Sequence, residues 1–189
     1  MKFIINHQEA YSRSELLLRT FFGNFYILIP HAILLFFIQI GLLFINIGRF
    51  WIILFTGKWP VGLHSYAVKT QRYGLRVSAR LLNLSDGYPK FGLSGTDDNT
   101  DYDIEHKESY SRLRLIGRGL FGPLLAFPHI FVLAFKVIGV YFVLFISWWA
   151  VLFTGKYPKG MHDFAVGTLR HQARIGNYLY FLCDNYPSF

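Results

Sequence analysis

Histidines are the residues in this sequence whose repeated spacing first suggests chemistry. His31 and His129 each follow a proline, and His64 and His162 each lie shortly after a Gly-Lys-aromatic-Pro phrase. Histidine titrates near neutral pH and is a common metal ligand. One histidine from each context could therefore meet its counterpart across a two-fold axis, as a metal site or a proton relay. The alternative, which is favoured, is that each caps a helix or hydrogen-bonds a carbonyl.

Other catalytic patterns are missing from the sequence. It has no Gly-x-Ser-x-Gly elbow for a nucleophile, and the run of Asp97, Asp98, Asp101 and Asp103 lacks the glycine and the distant glutamate of a calcium loop. We therefore predict that the chain is not an enzyme. We also predict no catalytic residues, no metal site and no cofactor.

A duplicated phrase indicates which elements must position these residues. The sequence "LFTGKWPVGLHSYAV" recurs as "LFTGKYPKGMHDFAV", and Asp-x-Tyr-Pro-x-Phe closes both residues 86–91 and residues 184–189. This pattern predicts a tandem duplication. The first membrane repeat is expected at residues 1–91, an acidic solvated linker at 92–107, and the second membrane repeat at 108–189.

The composition points to an all-α integral membrane protein. Hydrophobic residues make up 53% of the chain, charged residues only 16%, and two long apolar blocks run through residues 21–55 and 120–153. The formal net charge of +8 is carried by basic residues that border these blocks. Such a distribution fits contact with anionic lipid and does not fit the single basic patch of a nucleic-acid binder.

Each apolar block is about 35 residues, too long for one upright crossing of a hydrocarbon core of about 30 Å. One solution is a membrane hairpin with its turn near residues 39–41 and 136–139, which places all basic flanks on one side. The other is a long helix kinked at Pro30 and Pro128, which puts Lys136 near mid-bilayer and makes the two units inverted repeats. The hairpin is preferred. In both, Gly57 and Gly155 suit the left-handed residue after a helix end.

An amphipathic interfacial helix is predicted after each block, at residues 62–84 and 160–183. Its basic residues are expected to bind anionic lipid headgroups, and they are Lys69, Arg72, Arg76 and Arg80 in the first unit and Arg170 and Arg174 in the second. A polar site within the membrane blocks is also conceivable, built from His31, His129, Gln39 and Lys136.

These motifs together resemble a bacterial membrane-domain family known as domain of unknown function 4389. The phrases at residues 56–60 and 154–158 carry most of the resemblance, which extends over two tandem copies. It implies a multi-pass protein of the bacterial inner (cytoplasmic) membrane and supplies no catalytic residues. Ser65 in the first unit, where the second has Asp163, indicates that the copies have diverged.

The sequence is compatible with two functions. The first is a non-enzymatic accessory or scaffold subunit that packs in a larger membrane protein complex, or in a homo-oligomer, and contacts anionic lipid. The second is a carrier, channel or lipid-handling component for an anionic solute or lipid, which would use the interface between the repeats. Burial of Lys136 and Gln39 between the two units would favour the second.

Overall fold

The computed structural model of the chain describes residues 1–183 and 186–187. The elements, in chain order, are the strand β1 (Lys2–Ile5), the helix α1 (Arg13–Gly23), a π-helical turn (Asn24–Leu28), the helices α2 (Ile29–Thr56) and α3 (Val61–Leu81), the strand β2 (Thr100–Asp103), and the helices α4 (Arg112–Thr154) and α5 (Lys159–Leu179). The protein is mostly helical, as predicted. The all-α prediction is wrong in one respect, because β1 and β2 form a two-stranded sheet. Of the closing motif predicted at 184–189, only Tyr186 and Pro187 lie within the described residues.

Two long helices dominate the structure. Helix α1, the π-helical turn and α2 form one helix of 44 residues, and α4 has 43 residues; both are long and apolar enough to cross a membrane. The predicted hairpin is wrong, since α2 continues through Gly41 and α4 continues through Gly139. A glycine inside a helix costs only about 1 kcal/mol relative to alanine. A turn in an apolar segment would instead leave several backbone groups without hydrogen bonds, which costs more.

Both long helices end at the duplicated phrase for the same reason. Gly57 and Gly155 adopt left-handed conformations, with φ of 70° and 71°, and each donates its N–H to the carbonyl four residues earlier. The sequence predicted this conformation. Pro60 and Pro158 then stand at the N-caps of α3 and α5, so each unit turns back at once into its second helix.

The end of each long helix meets the start of the other. The Tyr110 N–H donates to the Gly57 carbonyl at 2.9 Å, and the Tyr11 N–H donates to the Gly155 carbonyl at 2.8 Å. The side chains repeat this exchange, because Arg112 donates to the Phe55 carbonyl and Arg13 donates to the Phe153 carbonyl. The two long helices therefore run antiparallel, and equivalent residues make equivalent contacts about a pseudo-two-fold axis.

The sheet lies on this axis. In the antiparallel register of β1 and β2, Phe3 is the partner of Tyr102. Phe3 and Tyr102 are as far apart in the sequence as Tyr11 and Tyr110, so they are equivalent positions of the two units. Phe3 and Tyr102 are both buried. The prediction of a solvated linker at residues 92–107 is therefore wrong for its second half. The linker carries a strand whose partner is the equivalent strand of the other unit.

The second helix of each unit covers one side of its own long helix. Helix α3 runs back along α2, where the Tyr66 hydroxyl donates to the Ile38 carbonyl at 3.0 Å, and the Phe164 ring of α5 packs against Gly139 of α4. One hydrophobic core joins the two units. It includes Leu42, Val68, Leu75, Val151 and Val166.

Candidate functional site

The uncovered side of the long helices forms a continuous surface of large apolar side chains, here called the apolar face. In the first long helix it comprises Phe21, Phe25, Ile29, Ile33, Phe36, Phe37, Phe44, Ile47, Trp51 and Phe55, and in the second it comprises Leu120, Phe121, Leu124, Phe127, Phe131, Phe135, Phe142, Phe145, Trp149 and Phe153, all of them exposed. Exposed apolar patches on soluble monomers rarely exceed a few hundred Å². The face therefore marks a surface for lipid or for other apolar partners.

Charged residues gather on the opposite side, around the sheet; this side, made of α3, α5 and the sheet, is here called the polar layer. Lys2 forms a salt bridge with Asp101 at 2.7 Å, and Arg72 lies 3.4 Å from Asp101 and 3.6 Å from Asp103. Lys2 and Asp103 keep more than half of their side-chain surface exposed. The pseudo-two-fold axis thus passes from an exposed charged sheet to the apolar face.

Most of the predicted headgroup-binding arginines of the first unit are engaged inside the protein. Arg76 is fully buried and donates to the carbonyls of Gly92 and Gly95. Arg80 is 4% exposed and binds Asp97 through both terminal nitrogens. Burial of these two guanidinium groups contradicts their assignment to lipid headgroups, because they satisfy loop carbonyls and a buried carboxylate.

The remaining members of the predicted headgroup set are more accessible. Lys69 is exposed on α3, while Arg72, Arg170 and Arg174 are half-buried. Arg72 also donates to the Tyr102 carbonyl at 2.9 Å, and Arg170 donates to the Phe3 carbonyl at 3.3 Å. These two contacts are equivalent across the pseudo-two-fold axis. Headgroup binding by the accessible residues stays a prediction.

The two histidines that follow prolines do not meet across the axis. His31 shares a 2.6 Å hydrogen bond with the Tyr73 hydroxyl, and His129 Nδ1 lies 3.3 Å from His171 Nε2. Both histidines are fully buried. Each is thus held within its own unit by the helix packed against it, through a tyrosine hydroxyl or an imidazole instead of the carbonyl that the sequence favoured.

The other repeated histidines do pair across the axis, but with partners that sequence reasoning missed. The ring of His64 packs edge-on against His106, and that of His162 packs edge-on against His7, both at 5.0 Å between centroids. In turn, His106 Nε2 donates to the Trp59 carbonyl and His7 Nε2 donates to the Tyr157 carbonyl, both at 2.7 Å. The sequence could have revealed this second pair of repeated histidines, because His7 and His106 are as far apart in the chain as the equivalent residues Tyr11 and Tyr110.

Burial lowers the pKa of both inner histidines. After burial, the pKa of His64 is lowered by electrostatic interaction with His106 and Arg49, and that of His162 by electrostatic interaction with His7. Across residues 1–183 and 186–187, no three histidine, cysteine or acidic side chains converge as a metal site would require. His7, which precedes α1, is thus packed against α5, and His106, which precedes α4, is packed against α3.

The remaining polar candidates lie apart from each other. Gln39 is exposed on α2. Lys136 lies in a cleft between α4 and α5 of its own unit, with Nζ 3.0 Å from His171 Nδ1. Neither residue lies between the two units, which was the arrangement that would have favoured a carrier.

The class of protein follows from this geometry: a mostly helical chain with two helices that are long and apolar enough to span a membrane. Residues 120–189 match the model of the family described as domain of unknown function (DUF4389). The predicted resemblance is confirmed for these residues of the second unit, and only one copy is matched instead of the two expected. No curated protein and no solved structure matches the chain.

The buried Arg80–Asp97 pair gives a stability prediction. Its side chains are 5% and 8% exposed, and the Arg80 guanidinium helps to hold the pKa of Asp97 below its usual value. Asp97→Ala should lower the free energy of unfolding by about 3–5 kcal/mol, because it leaves a buried guanidinium without its counter-charge. Thermal unfolding in detergent measures this change. The exposed neighbour provides the control, since Asp98→Ala should lie within about 0.5 kcal/mol of the parent.

The His64 and His162 pairs predict a pH dependence. In the unfolded chain both imidazoles titrate near pH 6.5, whereas burial lowers their pKa in the folded protein. The unfolded state therefore binds more protons below about pH 6.5, and the thermal midpoint should fall as the pH drops from about 7.5 to 5.5. The double variant His64→Gln, His162→Gln should show a shallower fall. An equally steep fall in the double variant would contradict this assignment.

Proposed function

We propose that this chain is a non-enzymatic membrane scaffold subunit whose two long helices lie flat in one leaflet of the bilayer. The apolar face contacts the acyl chains, and the polar layer lies in water. The observation that carries this proposal is the exposed charged sheet on the pseudo-two-fold axis, directly opposite the apolar face.

The lengths of the helices support a flat placement. A helix of 44 residues is about 66 Å long, about twice the hydrocarbon thickness of a bilayer. An upright helix of this length would expose apolar side chains only over its middle 20 or so residues. Here the exposed apolar residues continue from Phe21 to Phe55, and they lie on one side of the helix only. That distribution is typical of a helix lying in the membrane interface.

The symmetry of the chain gives the stronger argument. In an antiparallel pair of upright helices the two-fold axis would lie in the membrane plane, at mid-bilayer depth. The sheet on that axis would then lie at the same depth. The charged side chains of Lys2 and Asp101, which are partly exposed, would contact the acyl chains. A charge at that depth costs a few kcal/mol or more. Flat helices put the axis along the membrane normal, and the same charges lie in water.

Two unlike surfaces on one molecule support the proposed scaffold role. The apolar face provides aromatic side chains for lipid and for the transmembrane helices of a larger complex. The polar layer provides charged and hydrogen-bonding groups for an attached partner in water. By the family resemblance the membrane is the bacterial inner membrane. The carrier alternative gains no support, because Gln39 and Lys136 lie apart.

Spin-label depth measurements test the flat placement. Single cysteines at positions 21, 36, 44 and 55, introduced with Cys183→Ser into protein in lipid nanodiscs, should all report a similar shallow depth. Upright helices would give the greatest depth at positions 36 and 44 and the least at 21 and 55. Position 2 is the matched control, since a label there should be open to a water-soluble nickel chelate if the helices are flat and closed to it if they are upright.

Purification from the native membrane tests the scaffold role. Protein tagged at the C-terminus and extracted in a mild detergent should retain a larger membrane protein in fixed stoichiometry, detectable by mass spectrometry. Replacing Phe36, Phe37 and Phe44 by serine on the apolar face should reduce that retention, while the same number of changes at exposed polar positions should not. A lone particle in both preparations would contradict the scaffold role and leave the depth result standing.

A further inference from the structure

The second unit contains a basic cleft. It has a volume of about 250 Å³ and lies between α4 and α5. Its lining includes Lys136, Phe164, Thr168, Arg170, His171 and Arg174. Lys136 reaches it from the long helix, and the other residues reach it from α5. Positive side chains from two helices thus converge on one open space.

The first unit carries different side chains at the equivalent positions. Ile38 stands there in place of Lys136, and Tyr73 stands in place of His171. Tyr66, which replaces Phe164, donates its hydroxyl proton to the Ile38 carbonyl and packs its hydroxyl oxygen close to Gly41. The Tyr73 hydroxyl forms a hydrogen bond with His31. The two units share a backbone arrangement, and they differ in the side chains at these positions, where the first unit has an isoleucine and a tyrosine in place of Lys136 and His171.

The charges around the equivalent arginines Arg72 of α3 and Arg170 of α5 also differ. In the first unit Arg72 lies near Asp101 and Asp103 of β2. The pseudo-two-fold axis relates these acids to Lys2 and Ile4 of β1, so the equivalent arginine of the second unit, Arg170, faces a strand without an acid. Arg170 instead donates to the Phe3 carbonyl and lies over the Phe3 ring. Both units therefore have the arginine, but the strand beside Arg170 has a lysine and an isoleucine where the strand beside Arg72 has two acids.

The imidazole of His171 completes the arrangement. Burial, and after it the positive charge of Lys136, lowers the pKa of His171. A neutral His171 accepts a hydrogen bond from Lys136 at Nδ1 and donates from Nε2 to His129. The ammonium group is thereby held at the edge of the cleft by a chain of hydrogen bonds, and it retains protons for a ligand.

We infer that this cleft binds a phosphate group, with Lys136 and Arg170 as its principal charged contacts. Guanidinium and ammonium groups converging on a small cleft suit the tetrahedral oxygens of phosphate. The cleft is lined by Phe164, whose ring packs against Gly139 of α4, and Lys136 directly follows Phe135 of the apolar face in the chain. On the flat placement proposed above, this is headgroup depth, so an anionic phospholipid is one source of the phosphate and a free phosphate is the other.

The residues of the first unit supply the variants. Lys136→Ile installs the residue found at position 38, and His171→Tyr installs the one found at position 73, so both changes fit a backbone that already holds them. Lys136→Gln serves as a second variant that keeps the length of the side chain. Lys159→Gln is the matched control, because it removes one exposed lysine from the start of α5, outside the cleft. Circular dichroism establishes that each variant is folded.

Binding is measured on purified protein in a neutral detergent, with short-chain phosphatidic acid, phosphatidylglycerol, phosphatidylcholine and inorganic phosphate as separate ligands. We expect saturable binding of the anionic lipids, weakened about tenfold or more by Lys136→Ile and by Lys136→Gln and unchanged by Lys159→Gln. Preference for the lipids over inorganic phosphate identifies the source as a headgroup, and equal affinity identifies a free phosphate.

Two results would overturn the inference: no saturable binding of any phosphate ligand, or an equal loss in Lys159→Gln. The assay uses no bilayer, so it remains informative if the depth measurements show upright helices. Conversely, flat helices without phosphate binding would leave the membrane placement intact and remove only this site.

Discussion

The reciprocal hydrogen bonds at the helix ends, from Tyr110 to Gly57 and from Tyr11 to Gly155, constrain everything else in this structure. They hold two helices of more than 40 residues antiparallel, with the start of each fixed to the end of the other. Both acceptors sit where the left-handed glycine turns its carbonyl out of the helix. Once the ends are fixed, α3 and α5 can return only along the same side, and the sheet closes over them on the axis.

This closure separates polar from apolar surface along the whole molecule. Buried residues such as His31, Leu42 and Arg49 recur on the covered side of the first long helix, while the exposed phenylalanines lie on the other. The polar and apolar sides stay separate over about twelve helical turns. This fits a helix that lies along the boundary between water and lipid better than a helix that crosses the lipid. The flat placement proposed above and the fold thus rest on the same packing.

The sequence predicts the local features well and the long-range ones poorly. The helix ends at Gly57 and Gly155 follow from glycine chemistry, and the second helix of each unit follows from its periodicity. The continuous long helix does not, because a glycine at position 41 is compatible with a turn or with close contact to Tyr66. Headgroup binding by Arg76 also looked plausible, since an amphipathic stripe does not reveal that a loop folds back over it to accept its hydrogen bonds.

The pairing of β1 with β2 joins each strand to its own counterpart, as in a symmetric dimer. If the two units were separate chains, the contacts of His7 with His162 and of Arg13 with Phe153 would all be intersubunit contacts. In such a dimer every substitution appears twice. Joining the halves in one chain removes that restriction, so one half can keep Ile38 for packing while the other carries Lys136 at the same place. Covalent linkage thus gives a two-fold scaffold the freedom to be asymmetric.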